Sequence, residues 1–244
     1  MASDERYSCE HVVSIEEEPR HHLVLANDFV RAFAVEIAPR DRTLCHHHPH
    51  EYVLYVASDA EIVSAARDEA PKRLSYSDGE CELSAAGLTH LVENLGERPF
   101  RNIVVELLPR VSELRRGASP GDADTEIAGF EARVTELLNE EKAAIFKLEI
   151  EPGANISVSG PAVIAAPYAN NLNPAAVGQI EVIQNEICDL AWVPPGQRSL
   201  LRGRWDHTER AIVFQLGRTE QQGQPVAVER KPVRSLRAHA DEPE

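Results

Sequence analysis

The strongest constraint on this chain is that it repeats itself. Ala32-Phe-Ala-Val-Glu-Ile-Ala-Pro39 lines up with Ile145-Phe-Lys-Leu-Glu-Ile-Glu-Pro152 at an offset of 113 residues. Ala85-Ala-Gly87 lines up with Pro194-Pro-Gly196 at an offset of 109. At the same offset, Arg101-Asn-Ile-Val-Val-Glu-Leu107 lines up with Arg210-Ala-Ile-Val-Phe-Gln-Leu216. The order of the blocks is kept and the offset slips by only four, so the chain carries two copies of one unit.

The repeated blocks have period two. Phe33, Val35 and Ile37 share one face of a strand, with Arg31 and Glu36 read as facing the other way. Ile103, Val105 and Leu107 share a face of a second strand, which leaves Glu36 and Glu106 on solvated faces. Tyr52 to Val56 is apolar on both faces and reads as a strand covered on both sides. By propensity, Glu131 to Lys142 reads as a helix. The repeat overrules that reading, because Val24 to Asp28 aligns with Leu137 to Glu141 and makes the segment strand plus turn. The expected organisation is all-β: a lead-in over 1–21, a first unit over 22–108, a linker over 109–130, a second unit over 131–218, and a disordered tail over 219–244.

The chemistry is concentrated in the first copy. Cys45-His46-His47-His48-Pro49-His50-Glu51-Tyr52 holds four of the ten histidines within five positions. On a strand, His46 and His48 point the same way. Two imidazoles on one face are half of a metal site, and imidazole suits Zn, Cu, Fe and Ni. His47 is expected on the surface and His50 at the rim of a pocket. At the repeat offsets, His46, His48, His50 and His90 map to Ser159, Pro161, Val163 and Ser199, so the second copy lacks every candidate ligand.

Net charge is −15, with no basic run, which speaks against nucleic acid and against an anionic membrane surface. No apolar run reaches the ~18–20 residues of a membrane span. The polar N-terminus lacks the pattern of a signal peptide, so a cytoplasmic protein is expected. Cys9, Cys45, Cys81 and Cys188 are scattered without CxxC spacing, which speaks against a disulfide framework and against a cysteine zinc site. Cys45 and Cys81 are read as packing residues.

The two motifs resemble those of the cupin superfamily. That family's first motif is built around HxH followed by a glutamate, here His46-His47-His48-Pro49-His50-Glu51-Tyr52. Its second, G-x5-P-x-G-x2-H-x3-N, reads here as Gly79, Ala85, Gly87, His90 and Asn94, with alanine for the proline. The resemblance covers roughly 22–108 and 133–217 and implies a bicupin of two jelly-roll β-barrels. Carried over residue by residue, it makes His46, His48 and His90 ligands of a divalent metal (Fe, Mn, Zn or Ni). The family's usual fourth ligand, a glutamate four residues after the second histidine, is replaced by Tyr52. Glu51 falls one position early and would coordinate only if a bulge re-aimed it. Three histidines with open positions resemble the iron sites of some cupin dioxygenases, with Tyr52 as a hydroxyl that orients substrate. Asn94 is read as a turn residue, and Trp192 and Trp205 as packing. The implied partner is a small-molecule substrate or ligand, and a homodimer is compatible with the sequence. A non-catalytic sensor and a metal-dependent isomerase or lyase stand as alternatives to the oxygenase.

Overall fold

The segments that alternate in sequence form strands, and the strands assemble in one order twice. The computed structural model describes residues 5–117, 132–167, 174–175, 182–185, 188–202 and 208–217. The first half contains β1 (Val12–Ser14), β2 (His21–Ala26), β3 (Val30–Ile37), β4 (Cys45–His48) and β5 (Tyr52–Val56). It continues through β6 (Ala60–Ala66), β7 (Lys72–Tyr76), β8 (Cys81–Ser84), β9 (Leu88–Asn94) and β10 (Phe100–Leu107). The second half contains β11 (Ala132–Asn139), β12 (Ala143–Ile150), β13 (Asn155–Ser159), β14 (Ala162–Pro167) and β15 (Pro174–Ala175). It ends with β16 (Val182–Ile183), β17 (Cys188–Val193), β18 (Arg198–Arg202) and β19 (Glu209–Leu216). The segment with helix propensity is therefore the strand β11.

The first half folds into two facing sheets, β1-β4-β9-β6-β7 and β2-β3-β10-β5-β8. The second half has β11-β12-β19-β14-β17-β16 and β13-β18-β15. The series β2-β3-β10-β5-β8 thus recurs as β11-β12-β19-β14-β17. Strands distant in sequence lie side by side in each sheet, which is jelly-roll connectivity.

The central strands β3, β5 and β10 are covered on both faces. On one face, Phe33, Val35, Ile37, Tyr52, Val56, Phe100 and Val104 fill the inside of the first barrel. On the other, Val53, Ile103 and Val105 pack with Ile145, Val163 and Phe214 in one core that belongs to both halves. Phe29 stacks on Trp192 across this join, with centroids 6.0 Å apart and planes 18° apart. Val111 and Leu114, in the part of the expected linker that is described, are buried there too. Arg116 reaches Asn139 Oδ1 at 2.8 Å and the Gly217 carbonyl at 3.2 Å. The remainder of the linker, the tail and Trp205 lie outside the described residues.

The second motif is a set of turn devices. Gly79 and Gly87 both sit at φ +89°, a conformation that L side chains rarely adopt. Gly87 N–H donates to the His48 carbonyl at 2.8 Å, which ties the second motif to the first. Asn94, fully buried, donates to the carbonyls of Ile37, Ala38 and Arg98 and accepts Gly96 N–H, as a turn residue should.

Three expectations are corrected. Cys9 and Cys45 form a disulfide, with Cα atoms 5.4 Å apart. Parallel pairing of β1 with β4 (Val12 opposite Cys45) brings the two cysteines together, and nothing in the sequence announced that pairing. Glu106 is not solvated: it is fully buried, because Arg31 on the neighbouring strand neutralises it. Arg31 shares the parity of Phe33, lies opposite Glu106 in the β3–β10 register, and so points into the barrel. Glu36, by contrast, stays partly exposed and pairs with Arg101.

The second barrel is filled where the first is polar. Opposite Ser199 in the β13–β18 register stands Val158, one residue before the position given by the repeat offset. Val158 packs with Ile156, Ile164 and Leu201 in an apolar interior. Gly160, two residues on, has no room for a side chain: a Cβ there would overlap the carbonyl oxygens of Val193 and Pro194.

Candidate metal centre

Strands from both sheets of the first barrel deliver imidazoles to one place. His46 and His48 project inward from β4, and His90 projects from β9 directly opposite His46. His46 is 0% exposed, His48 2% and His90 8%. The His46 ring lies 4.7 Å from that of His90, and the His48 ring 5.3 Å from it, centroid to centroid. The Nε2 atoms of His46 and His48 are 3.1 Å apart. A fourth ring, His21 on β2, has its centroid 4.5 Å from that of His46. The ligand atoms of His21, His46 and His48 form a trio, all within 4.8 Å of one another. His90 flanks that trio rather than belonging to it.

His21 escaped sequence reasoning for a local reason. Register shifts between Leu23 and Leu25, so period two cannot be carried back from the apolar run to His21. The bulge lets Leu25 serve the shared core while His21, opposite Val35, faces the barrel interior. The only available signal was the adjacent pair His21-His22 at the head of a strand.

Three of the four rings have their Nδ1 engaged. His21 Nδ1 lies 2.8 Å from Glu18 Oε2, His46 Nδ1 lies 3.0 Å from the Leu44 carbonyl, and His90 Nδ1 lies 3.3 Å from Ser64 Oγ. Such partners orient a ring and leave Nε2 to coordinate. His48 is the exception: its Nδ1 is buried without a hydrogen bond, 3.8 Å from Glu106 Oε1.

Electrostatics favour the neutral form of His46, His48 and His90. Burial, followed by the charge of His21, pushes His46 down to about 4. Burial, reinforced by neighbouring rings, pushes His48 and His90 down as well. Neutral imidazole is the form that binds metal. Burial alone would push Glu18 up, but the hydrogen bond and charge of His21, with the N–H groups of Arg20 and Leu44, hold it at about 2. Glu18 is therefore a carboxylate fixed behind His21, in a segment read from the sequence as mere lead-in.

The residues fit a metal. A single ion with metal–nitrogen bonds of ~2.0–2.2 Å places neighbouring nitrogens ~3.0–3.4 Å apart, and the His46–His48 separation is 3.1 Å. Donors are all imidazole nitrogen, which suits Zn, Cu, Fe and Ni.

The other candidates separate cleanly. Tyr52 is 5% exposed and stacks on His48, with centroids 4.3 Å apart. Burial pushes its phenol up to about 12, against a hydrogen bond to Ser84. Glu51 turns away and pairs with Lys142 in the other half, so no bulge re-aims it. His47 points away and meets Thr89 Oγ1 at 2.8 Å. His50 is half-buried and outside the trio. Cys81 is half-buried at the edge of the shared core, as a packing residue.

No family model matches the chain, and no curated protein matches it. Solved structures do. A vicilin from Solanum melongena superposes with a TM-score of 0.52 at 12% identity, over 82% of this chain and 85% of that one. AerE from Microcystis aeruginosa gives 0.50 at 14% identity, over 82% and 98%. A cupin domain from Bordetella pertussis gives 0.34 at 18% identity, over 36% and 90%. The fold is shared with the vicilin and with AerE. At these identities the likeness is one of fold alone, so the function of this protein is argued from its own residues. Among the described residues, no helix is long and apolar enough to cross a membrane.

Proposed function

We propose that the first barrel holds one divalent metal ion (iron, manganese, zinc or nickel) and acts as an oxygenase on a small oxygenated organic molecule. The observation that carries this reading is the cluster of four buried imidazoles, three of them with Nδ1 engaged elsewhere, in which the Nε2 atoms of His46 and His48 are 3.1 Å apart. His46 and His48 would hold the ion, with His21 and His90 beside them. Bound there, the metal would supply a Lewis acid and, if redox-active, a partner for O₂.

The chain's own groups do the rest. Glu18 holds the His21 ring in place through Nδ1. Tyr52 keeps its proton near neutral pH, so its hydroxyl would be a donor that orients a substrate beside the His48 ring it stacks on. Phe33, Val104 and Phe100 keep the interior apolar and exclude water.

Elemental analysis and oxygen uptake test the proposal. Wild-type protein should carry stoichiometric metal that is lost in H46A and H48A. Metal-reconstituted protein should consume oxygen with at least one member of a panel of diketones, thiols and dihydroxyaromatics. Loaded protein that consumes none rules out the oxygenase, and unchanged metal content in both variants rules out the site.

A further inference from the structure

The lead-in is fastened to the strand that carries two of the candidate ligands. β1 pairs in parallel with β4, Val12 opposite Cys45, Val13 opposite His46 and Ser14 opposite His47. Cys45 and His46 are adjacent on a strand, so their side chains take opposite faces. His46 turns into the barrel, and Cys45 turns out to meet Cys9 in the disulfide. On that outer face Cys45 packs with Ala65 of β6 and Leu91 of β9, and Tyr7 and Cys9 lie against them. Leu91 directly follows His90, so one small patch backs both of the strands that deliver imidazoles.

β1 also leads to the groups that hold two of the rings. Beyond it, Ile15 is fully buried inside the first barrel and pins the chain there. Glu18, three residues on, engages His21 Nδ1 and accepts the Leu44 N–H at 3.2 Å. The Leu44 carbonyl engages His46 Nδ1. Besides the disulfide, residues 5–14 are held by the three β1–β4 pairs, by an ion pair of Arg6 with Glu93, and by a hydrogen bond from Arg42 to the Arg6 carbonyl. Three residues of parallel edge strand are a weak tie, of the kind that opens locally without global unfolding. With β1 detached, β4 becomes the edge of its sheet and keeps only β9 as a neighbour. Cys9 is half-buried whereas Cys45 is 5% exposed, so an incoming thiolate reaches the S–S bond from the Cys9 side.

We propose that the Cys9–Cys45 disulfide is a redox latch on the metal centre: closed, it holds β1 against the ligand strand, and opened by a dithiol it frees residues 5–14 and loosens the grip on the ion. The proposal rests on the metal reading of the same barrel. Opening is a thiol–disulfide exchange. A thiolate of the dithiol attacks the Cys9 sulfur, the S–S bond breaks, and its electron pair leaves with the Cys45 sulfur. The second thiol of the dithiol then displaces Cys9 from the mixed disulfide. In balance, two electrons and two protons pass to the sulfurs of Cys9 and Cys45, and the dithiol ends as its own disulfide. Ile15 stays seated in the core, so opening lifts a cover and leaves the barrel folded.

The test compares the full chain oxidised with the full chain reduced by dithiothreitol, the dithiol being removed without air before Zn²⁺ is titrated against a chromophoric chelator. Oxidised wild type should hold Zn²⁺ about tenfold more tightly than reduced wild type. C9A/C45A, open and without thiols that could take the ion, should match the reduced protein and ignore the dithiol. In the metal-free chain, amide hydrogen exchange should quicken on reduction at 12–14 and 45–48, and stay unchanged in β12 and β19. Equal Zn²⁺ affinity in the oxidised and fully reduced proteins overturns the latch, as does a C9A/C45A variant that binds like the oxidised form. Exchange that quickens throughout β12 and β19 also overturns it, because reduction then unfolds the protein. A chain that takes up no Zn²⁺ in either state refutes the metal centre instead; faster exchange confined to β1 and β4 then still supports the latch, and unchanged exchange removes that too.

Discussion

Metal-free protein should be acid-labile in a window set by its buried imidazoles. The perturbation is a fall in pH from about 7 to about 4 after chelation. In the unfolded chain His46 titrates near 6.5, and in the barrel burial holds it at about 4. The folded state therefore binds its proton later than the unfolded state does. Stability from this ring is complete above pH 6.5 and is lost as pH falls towards 4. The displacement is worth about 3 kcal/mol at 1.36 kcal/mol per pH unit. His48 and His90 are displaced in the same direction and add to the loss. Glu106 opposes it, because burial raises its pKa and protonation relieves the cost. Glu18, held at about 2 against an ordinary 4.5, adds its own loss only below pH 4.5. The window between 6.5 and 4.5 thus belongs to the histidines. For a chain of this size, about 3 kcal/mol lowers the melting temperature by roughly 6–12 °C, and the other rings lower it further. Far-UV circular dichroism melts at constant ionic strength measure it. A melting temperature level from pH 7 to pH 5 would show that the rings charge freely in the folded protein, and the buried neutral cluster would be refuted.

The remaining predictions concern what holds the site and the fold. E18Q should keep the fold but lower metal affinity about ten- to hundredfold, because a neutral amide orients His21 more weakly; a competition titration against a chromophoric chelator that gives wild-type affinity would clear Glu18 of that role. G160A should cost several kcal/mol, or yield no folded protein, because the new methyl group meets the carbonyls of Val193 and Pro194; urea denaturation reads the loss, and a midpoint equal to wild type contradicts it. Truncation after about residue 112 should give aggregated protein, since Val53, Ile103 and Val105 lose their partners across the shared core; a monomeric, folded fragment on gel filtration is the contrary result.

Strand period and internal repetition made most of the fold legible. Phe33-Val35-Ile37 and Ile103-Val105-Leu107 announce strands by alternation, and their recurrence announces a second barrel even where propensity favoured a helix at Glu131 to Lys142. His46 and His48 were legible because two residues two apart on a strand must share a face. What stayed hidden depends on pairing between distant segments. The bulge in β2 breaks the phase that would have pointed to His21. The parallel pairing of β1 with β4 makes Cys9 and Cys45 neighbours, and short segments with no alternation give no hint of it. Glu106 looked solvated because parity shows which face a residue takes and not what lies on it. Both faces of β10 are covered, and Arg31 is what makes a carboxylate tolerable there.

The two barrels divide the labour along that covered face. Buried histidines that must stay neutral, a carboxylate locked behind His21, and a buried Arg31–Glu106 pair all weaken a small barrel relative to an apolar interior. The second barrel has none of these groups at the matching positions: Val158, Gly160 and Ser199 leave no ligand. Its interior is largely apolar, and its outer sheet offers Ile145, Val163 and Phe214 to the back of the first barrel's sheet. The strands that carry Glu106 and Tyr52 inward thus carry Val105 and Val53 outward into that joint core. Stabilising substitutions made only in the second barrel should therefore raise the midpoint of metal-free protein without altering metal content, whereas a site held by the first barrel alone would be indifferent to them.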